Sequence, residues 1–332
     1  MPNGSWAGKT VVVTGGAGFI GSHIVEQLLE REASVICLYR RDRRGVLAQL
    51  PDSSRLRTAQ LDLRDEDALS AVFELARGGV DAFFHCAAVS GSVEFRRDHS
   101  GQILDTNMRV TSNVLKVART HGVPDVALLS SSDIYLNPET YPIHEDDDFT
   151  RQMKYVPDGY YLSKVYAEIL AETHRIEYGT NIFLPRLTSV YGPRDNFEPD
   201  TDRVVPSMFA KVMAGQEIEI WGDGSQTRTY MHVTDLVRAV LRMVEVGKHH
   251  VLNIGTSEIV TVHDLARLVC EALEEPERIR FDPARSGGRP NRTLDVGRLY
   301  DVIDFEPRSL RDGLRDTVEW YRRHRVPARA AR

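Results

Sequence analysis

A β-branched run, Val11-Val12-Val13-Thr14, breaks into glycines at positions 15, 18 and 21 and then resumes with Phe19, Ile20 and Ile24 at helical spacing. This reads as a buried strand, a tight turn and a helix N-terminus, an arrangement open to few folds. Gly15 permits the turn, Gly18 lets backbone amides approach a pyrophosphate, and Gly21 lets the helix pack closely on the strand. The helix dipole and its first amides favour the diphosphate. Three glycines also serve ordinary turns. A strand before and a helix after them supply the context that dinucleotide binding requires.

Strand and helix patterns alternate through the first half. Strands are expected at Thr10–Thr14, Ser34–Leu38, Leu56–Gln60, Asp81–Phe84 and Val126–Ser130, and helices at Gly18–Glu30, Glu66–Ala76 and Leu104–His121. A helix over Tyr160–Tyr178 and a strand at Asn181–Pro185 follow. The alternation predicts an α/β Rossmann fold, a doubly wound parallel sheet. From about Gly192, turns rich in Pro, Gly and Asp separate shorter elements, which predicts a smaller substrate-binding lid. The expected division is 1–190 for the dinucleotide-binding domain, rejoined by about 230–256. Residues 191–325 form mainly the substrate domain, and 326–332 a tail.

With 332 residues and a formal net charge of −6, the chain suits a large core and argues against nucleic-acid binding. Arg322, Arg323, Arg325, Arg329 and Arg332 read as a solvated, Arg-rich end. No apolar run reaches the ~20 residues of a membrane helix, and Met1–Lys9 lacks a signal-peptide layout. Cys37, Cys86 and Cys270 are scattered and suit buried thiols in a reducing cytoplasm. No metal-ligand spacing is present, and Glu145–Asp148 reads as a solvated acidic loop.

The second strand ends in Tyr39-Arg40-Arg41-Asp42, where an NAD site usually presents a carboxylate to the ribose. Arg40 and Arg41 favour a 2′-phosphate and hence NADP. The other reading is a solvated basic loop with Asp42 on the ribose of NAD. Asp62, ending the third strand, is placed for an adenine contact or for capping the next helix. Phe19, Ile20, Leu63, Ala87 and Asn107 complete the candidate cofactor contacts.

Tyr160 and Lys164 stand four residues apart at a helix start, so they share one face. A cationic lysine favours tyrosinate, and such a tyrosine exchanges a proton with a carbinol or carbonyl oxygen during hydride transfer. Tyr155 and Tyr161 are the competing tyrosines. Ser130-Ser131-Ser132-Asp133 closes the fifth strand and offers a hydroxyl to the same oxygen, or a turn cap.

Together these segments, with His85-Cys86-Ala87-Ala88, Tyr191-Gly192-Pro193, Gly222–Arg228 and His232-Val233-Thr234-Asp235, resemble the extended short-chain dehydrogenases/reductases that act on nucleotide sugars. The likeness spans nearly the whole chain. It implies that Ser131, Tyr160 and Lys164 are catalytic and that a homodimer forms through the helices near 104–121 and 160–178. Arg186–Phe197 and Arg292–Leu299 resemble GDP-fucose synthases and related deoxysugar ketoreductases, which use NADPH. Asp133 and Arg203 stand where fucose synthases carry the cysteine and histidine that epimerise the sugar, and Arg203 cannot act as a base. Ser189 replaces the usual asparagine.

The resemblance therefore implies NADPH-dependent reduction, at carbon 4, of a dTDP- or GDP-linked 4-keto-6-deoxyhexose. The alternative is an epimerase, or a 4,6-dehydratase or decarboxylase, that recycles bound NAD(P) and uses Asp133 as an acid/base. Arg228 and Arg292 are expected on the substrate diphosphate, or in surface salt bridges, and Ser132, Ser189 and Arg203 near the sugar. A cofactor-binding sensor with an inactive site is a further class, disfavoured by the intact Ser131, Tyr160 and Lys164.

Overall fold

Thr10–Thr14 (β1) is a continuous apolar strand because both of its faces are covered: Val11, Val12 and Val13 are fully buried. The computed structural model describes residues 6–42, 44–74, 76, 78–135, 141–147, 156–198, 201, 203–285 and 289–325. After β1 come Phe19–Glu30 (α1), Ser34–Tyr39 (β2), Leu56–Gln60 (β3), Glu66–Glu74 (α2) and Ala82–His85 (β4). Val93–Asp98 (α3), Ser100–Thr120 (α4), Asp125–Leu128 (β5), Ser130–Ser131 (β6), Gly159–Tyr178 (α5) and Asn181–Leu187 (β7) follow.

The chain divides into two compact units. The first comprises Met1–Asn137, Asp148–Leu187 and Val237–Leu252. Its sheet runs β3-β2-β1-β4-β5-β7 and ends on Val251–Ile254 (β11), with β6 paired to β7. The pairings β3-β2-β1-β4-β5-β7 are parallel, giving the doubly wound Rossmann arrangement. Strand order reverses between β1 and β4, and ligands of such sheets bind beyond the strand ends at this point. Val12, Phe83, Val126 and Leu128 pack with Leu69, Phe73, Val114 and Leu115 of α2 and α4.

The second unit comprises Pro138–Asp147, Thr188–Leu236 and Asn253–Arg332. Its elements include Ser189–Tyr191 (β8), Val204–Met213 (α6), Ile218–Trp221 (β9) and Thr227–His232 (β10), which leads into Val233–Val246 (α7). Ile259–Thr261 (β12), Val262–Leu273 (α8), Ile279–Asp282 (β13), Asn291–Arg292 (β14), Gly297–Tyr300 (α9) and Leu310–Arg325 (α10) complete it. β10 is central, with β8, β12 and β14 as partners, and β9 pairs β13. Phe197, Phe209, Leu265, Val269, Leu314 and Val318 build its core.

Two expectations need correction. Arg322 and Arg323 do not belong to a loose end: they ride on α10, whose Leu310, Leu314 and Val318 recur every four residues and are buried. Nor is the acidic run wholly solvated, since Glu145 is buried and its carboxylate accepts the Asn253 amide at 2.9 Å. Residues 326–332 and Asp148 lie outside the described residues. Among the described residues, no helix is long and apolar enough to cross a membrane.

Candidate active site

The turn after β1 is built for the close approach of backbone. Gly15 has φ +67°, a conformation costly for residues with a Cβ. A Cβ on Gly18 would lie 2.8 Å, and one on Gly21 2.2 Å, from the Gly15 carbonyl oxygen, so side chains at either position would open the turn. α1 begins with Gly18 as N-cap, without a side-chain cap and without an acidic residue in its first turn. Phe19 and Ile20 start the helix, and its positive end meets no carboxylate of its own. This cradle fits a dinucleotide pyrophosphate.

Arg40 and Arg41 are exposed at the end of β2, while Asp42 is committed elsewhere. Its carboxylate accepts the Val46 and Leu47 amides at 2.7 and 3.0 Å and caps the following turn. Asp62 is clamped by Arg64, whose guanidinium donates at 2.6–3.1 Å and holds the carboxyl down at about 2. Leu63 packs on the core.

Beyond β4, Ala87 backs directly onto Gly15, and its amide lies 3.4 Å from the Thr14 hydroxyl oxygen. Burial drives the His85 imidazole down to about 3, so it is neutral beside Thr14 Oγ1 at 2.8 Å. Asn107 is buried and turned to the protein. Its Oδ1 accepts the Val89 amide at 2.8 Å, and its Nδ2 donates to Val89 O at 2.9 Å and Ser163 Oγ at 3.1 Å. It holds the post-β4 loop against α5.

Asp158 caps α5 by accepting the Tyr160 and Tyr161 amides at 2.9 and 3.2 Å, which fixes the helix start under the tyrosines. Tyr161 is buried, Tyr160 is half-buried, and Tyr155 lies outside the described residues. Lys164 Nζ donates to the Leu129 carbonyl at 2.5 Å and sits 5.7 Å from the Tyr160 ring centroid. Desolvation of the ammonium brings Lys164 down to about 8, against opposing attraction from Cys86 and Glu168.

Ser131 Oγ accepts the Asp133 amide at 3.1 Å, which leaves its hydrogen to donate. Ser132 is buried. Asp133 Oδ2 accepts from Arg96 Nη1 at 3.3 Å.

In the first unit, three groups escaped sequence reasoning. Glu168 and Arg186 form a buried pair at 2.6 Å, joined by the Ser130 hydroxyl and by Tyr135 OH, which accepts from Arg186 at 2.7 Å. Glu168 stands four residues beyond Lys164, a signal present in the sequence. Arg96 lies with its guanidinium carbon 4.1 Å from the Tyr160 ring centroid. No local spacing marked it.

In the second unit, Arg228 and Arg292 are direct partners on parallel strands β10 and β14. Burial first, and then repulsion from Arg289, lower the Arg228 pKa against the attraction of Tyr230 and Tyr141. Arg289, close enough to repel Arg228, is a further group that the sequence did not mark. Arg203 is occupied by Asp195 at 2.7 Å and by the Val190 carbonyl at 2.8 Å. Ser189 is half-buried on β8.

Residues 11–255 match the NAD dependent epimerase/dehydratase family. The chain is 50% identical to a dTDP-4-dehydro-6-deoxy-D-allose reductase of Streptomyces bikiniensis, over 96% of this chain and 98% of the relative. It is 26% identical to the GDP-L-fucose synthase of Escherichia coli, over 94% and 96% of the two chains. In structure it resembles the dTDP-glucose 4,6-dehydratase of Streptomyces venezuelae solved with NAD, at TM-score 0.83 and 28% identity, covering 96% of this chain and 98% of that one. The matched sequence, the doubly wound sheet and the glycine cradle agree: this chain is an enzyme of the NAD dependent epimerase/dehydratase family.

Proposed function

We propose that this enzyme reduces the 4-keto group of a dTDP-linked 4-keto-6-deoxyhexose and consumes NADPH in doing so. One observation carries the reading. Asp133 and Arg203, at the positions of the epimerising pair in fucose synthases, are both tied up in ion pairs, whereas Ser131, Tyr160 and Lys164 keep the groups that reduction needs. The 50% identity to a reductase of a dTDP-linked 4-keto-6-deoxy sugar supports the nucleotide.

When bound, NADPH supplies the hydride that reaches carbon 4. Tyr160 gives its phenolic proton to the oxygen on that carbon as negative charge develops there. The Ser131 hydroxyl donates to the same oxygen, since its own oxygen is already engaged by the Asp133 amide. Lys164, still mostly cationic at neutral pH, favours the phenolate left behind. The exposed Arg40 and Arg41 suit the 2′-phosphate of NADPH, and the capping role of Asp42 removes the acidic group that NAD would want. Arg228 and Arg292, with Arg289, suit the substrate diphosphate.

A homodimer through α4 and α5 is supported by Ile169 and Ile176, which stand exposed seven residues apart on α5. The free thiols Cys37, Cys86 and Cys270 suit the cytoplasm.

The test follows absorbance of NADPH and NADH with dTDP- and GDP-linked 4-keto-6-deoxy sugars. One NADPH lost per dTDP-sugar converted supports the reading. Conversion without net NADPH loss overturns it in favour of an epimerase or dehydratase that recycles its cofactor.

A further inference from the structure

We propose that Arg96 is a positioning residue that sets the acidity of Tyr160 and shields it from two carboxylates. The proposal rests on the reading of Tyr160 as the proton donor. Arg96 belongs to α3, a six-residue helix whose start is fixed by Ser92 accepting the Phe95 amide at 3.0 Å. From there the side chain reaches three places distant in sequence. Its guanidinium carbon is 4.1 Å from the Tyr160 ring centroid, and its Nη1 is 3.3 Å from Asp133 Oδ2 and 3.8 Å from Asp158 Oδ2. Its Nε is buried with no hydrogen-bond partner among the described residues. A guanidinium laid on a ring face keeps its in-plane N–H groups free, so Arg96 covers the Tyr160 ring and donates to Asp133 at the same time.

The charged groups on the Tyr160 ring and on Arg96 come from α3, from α5 with its cap and from the segment after β6. Lys164 of α5 and Arg96 of α3 are cationic, whereas Asp133, after β6, and Asp158, the cap of α5, are anionic. Removing Arg96 takes a cation off the ring and away from both carboxylates, which disfavours the phenolate. With Arg96 present, Asp133 is paired and the ring lies beneath a cation. A cation at this range lowers the pKa of an acid by about one unit or more.

Reduction needs the protonated phenol, so the rate falls as pH rises through the tyrosine pKa. Removing Arg96 raises that pKa and carries the alkaline limb upward. The experiment records pH profiles of NADPH consumption with a dTDP-linked 4-keto-6-deoxy sugar for the wild type, R96Q, R96M and R96K, and NADPH affinity by fluorescence for each. R96Q keeps a donor for Asp133 without the charge, and so separates charge from folding. The expected result is a limb moved up by about one pH unit in R96Q and R96M, with NADPH affinity within about twofold of wild type. In R96K, the limb moves back toward wild type. An unmoved limb in R96Q with normal NADPH affinity overturns the proposal, as does an R96K limb displaced as far as that of R96Q. Tyr160→Phe is the control: if it keeps wild-type turnover, the proton-donor reading itself fails, whereas its inactivity with an unmoved R96Q limb sinks only the role of Arg96.

Discussion

Arg186 Nη2 lies 2.6 Å from Glu168 Oε2, and both side chains are buried beneath the serine segment. The pair joins β7 to α5 one turn beyond Lys164, and Glu168 also receives the Ser130 hydroxyl. It thus ties together the two elements that carry Ser131 and Tyr160. Burial works against the guanidinium charge, but the attractions and hydrogen bonds of Glu168 and Tyr135 together outweigh it and hold Arg186 above its ordinary pKa.

Breaking this pair from one side leaves a buried charge uncompensated. Glu168→Gln is expected to cost about 3–5 kcal/mol of stability in urea unfolding. A double replacement, Glu168→Leu with Arg186→Met, should recover most of that loss, because two apolar groups need no desolvated partner. If the single variant unfolds at the wild-type midpoint, the pair holds nothing.

Tyr160→Phe removes the proton but leaves the ring under Arg96. Turnover should fall by about 10²–10⁴-fold while NADPH affinity, measured by fluorescence, stays near wild type. Ser131→Ala should cost about 10²-fold through the lost donor. A Ser131→Ala enzyme with full turnover contradicts the role given to its hydroxyl.

Arg40→Ala combined with Arg41→Ala should raise KM for NADPH by about 10–100-fold, the worth of one or two charge-assisted contacts. KM for NADH should hardly move. Equal loss for both cofactors would place these arginines on the shared part of the dinucleotide.

Gly21→Ala puts a methyl group against the Gly15 carbonyl, 2.2 Å from it before relaxation. The backbone cannot yield without opening the turn, so dinucleotide affinity should drop by about tenfold or more. Titration of NADPH fluorescence reads this directly.

Lys164 gives a stability prediction with a definite sign. Its folded pKa is about 8 against an ordinary 10.5, so between those values the unfolded chain binds more protons than the native one. Its contribution to stability therefore rises as pH climbs from about 8 to 10.5 and is at its lowest below 8. Relative to Lys164→Met, the wild type should gain stability over that window in urea unfolding. A constant difference across it contradicts a desolvated ammonium.

The parts of the molecule legible in sequence are those governed by local pattern. β1 and β3 have the ends that the sequence predicts, β1 because its unbroken β-branched run stops at the glycine turn. α3 was missed because six residues give too little periodicity. α10 carries no expectation of its own beyond the solvated arginines at its end, since its polar residues outnumber the buried stripe. In the site, Tyr160 and Lys164 were visible because they share a helix face. Arg96 was not, since its carboxylate partner Asp133 is 37 residues away and only the fold brings them together. The ties of Asp42 and Arg203 are made to near neighbours in the chain, but no pattern in the sequence fixes which neighbour either side chain takes.

The central claim is net hydride transfer to carbon 4 from a cofactor that leaves oxidised. NADPH deuterated at its transferable position, incubated with a dTDP-linked 4-keto-6-deoxyhexose, tests it directly. The account predicts a product one mass unit heavier, with deuterium at carbon 4 and one NADP formed per sugar. An unlabelled product formed with no NADP released would contradict it.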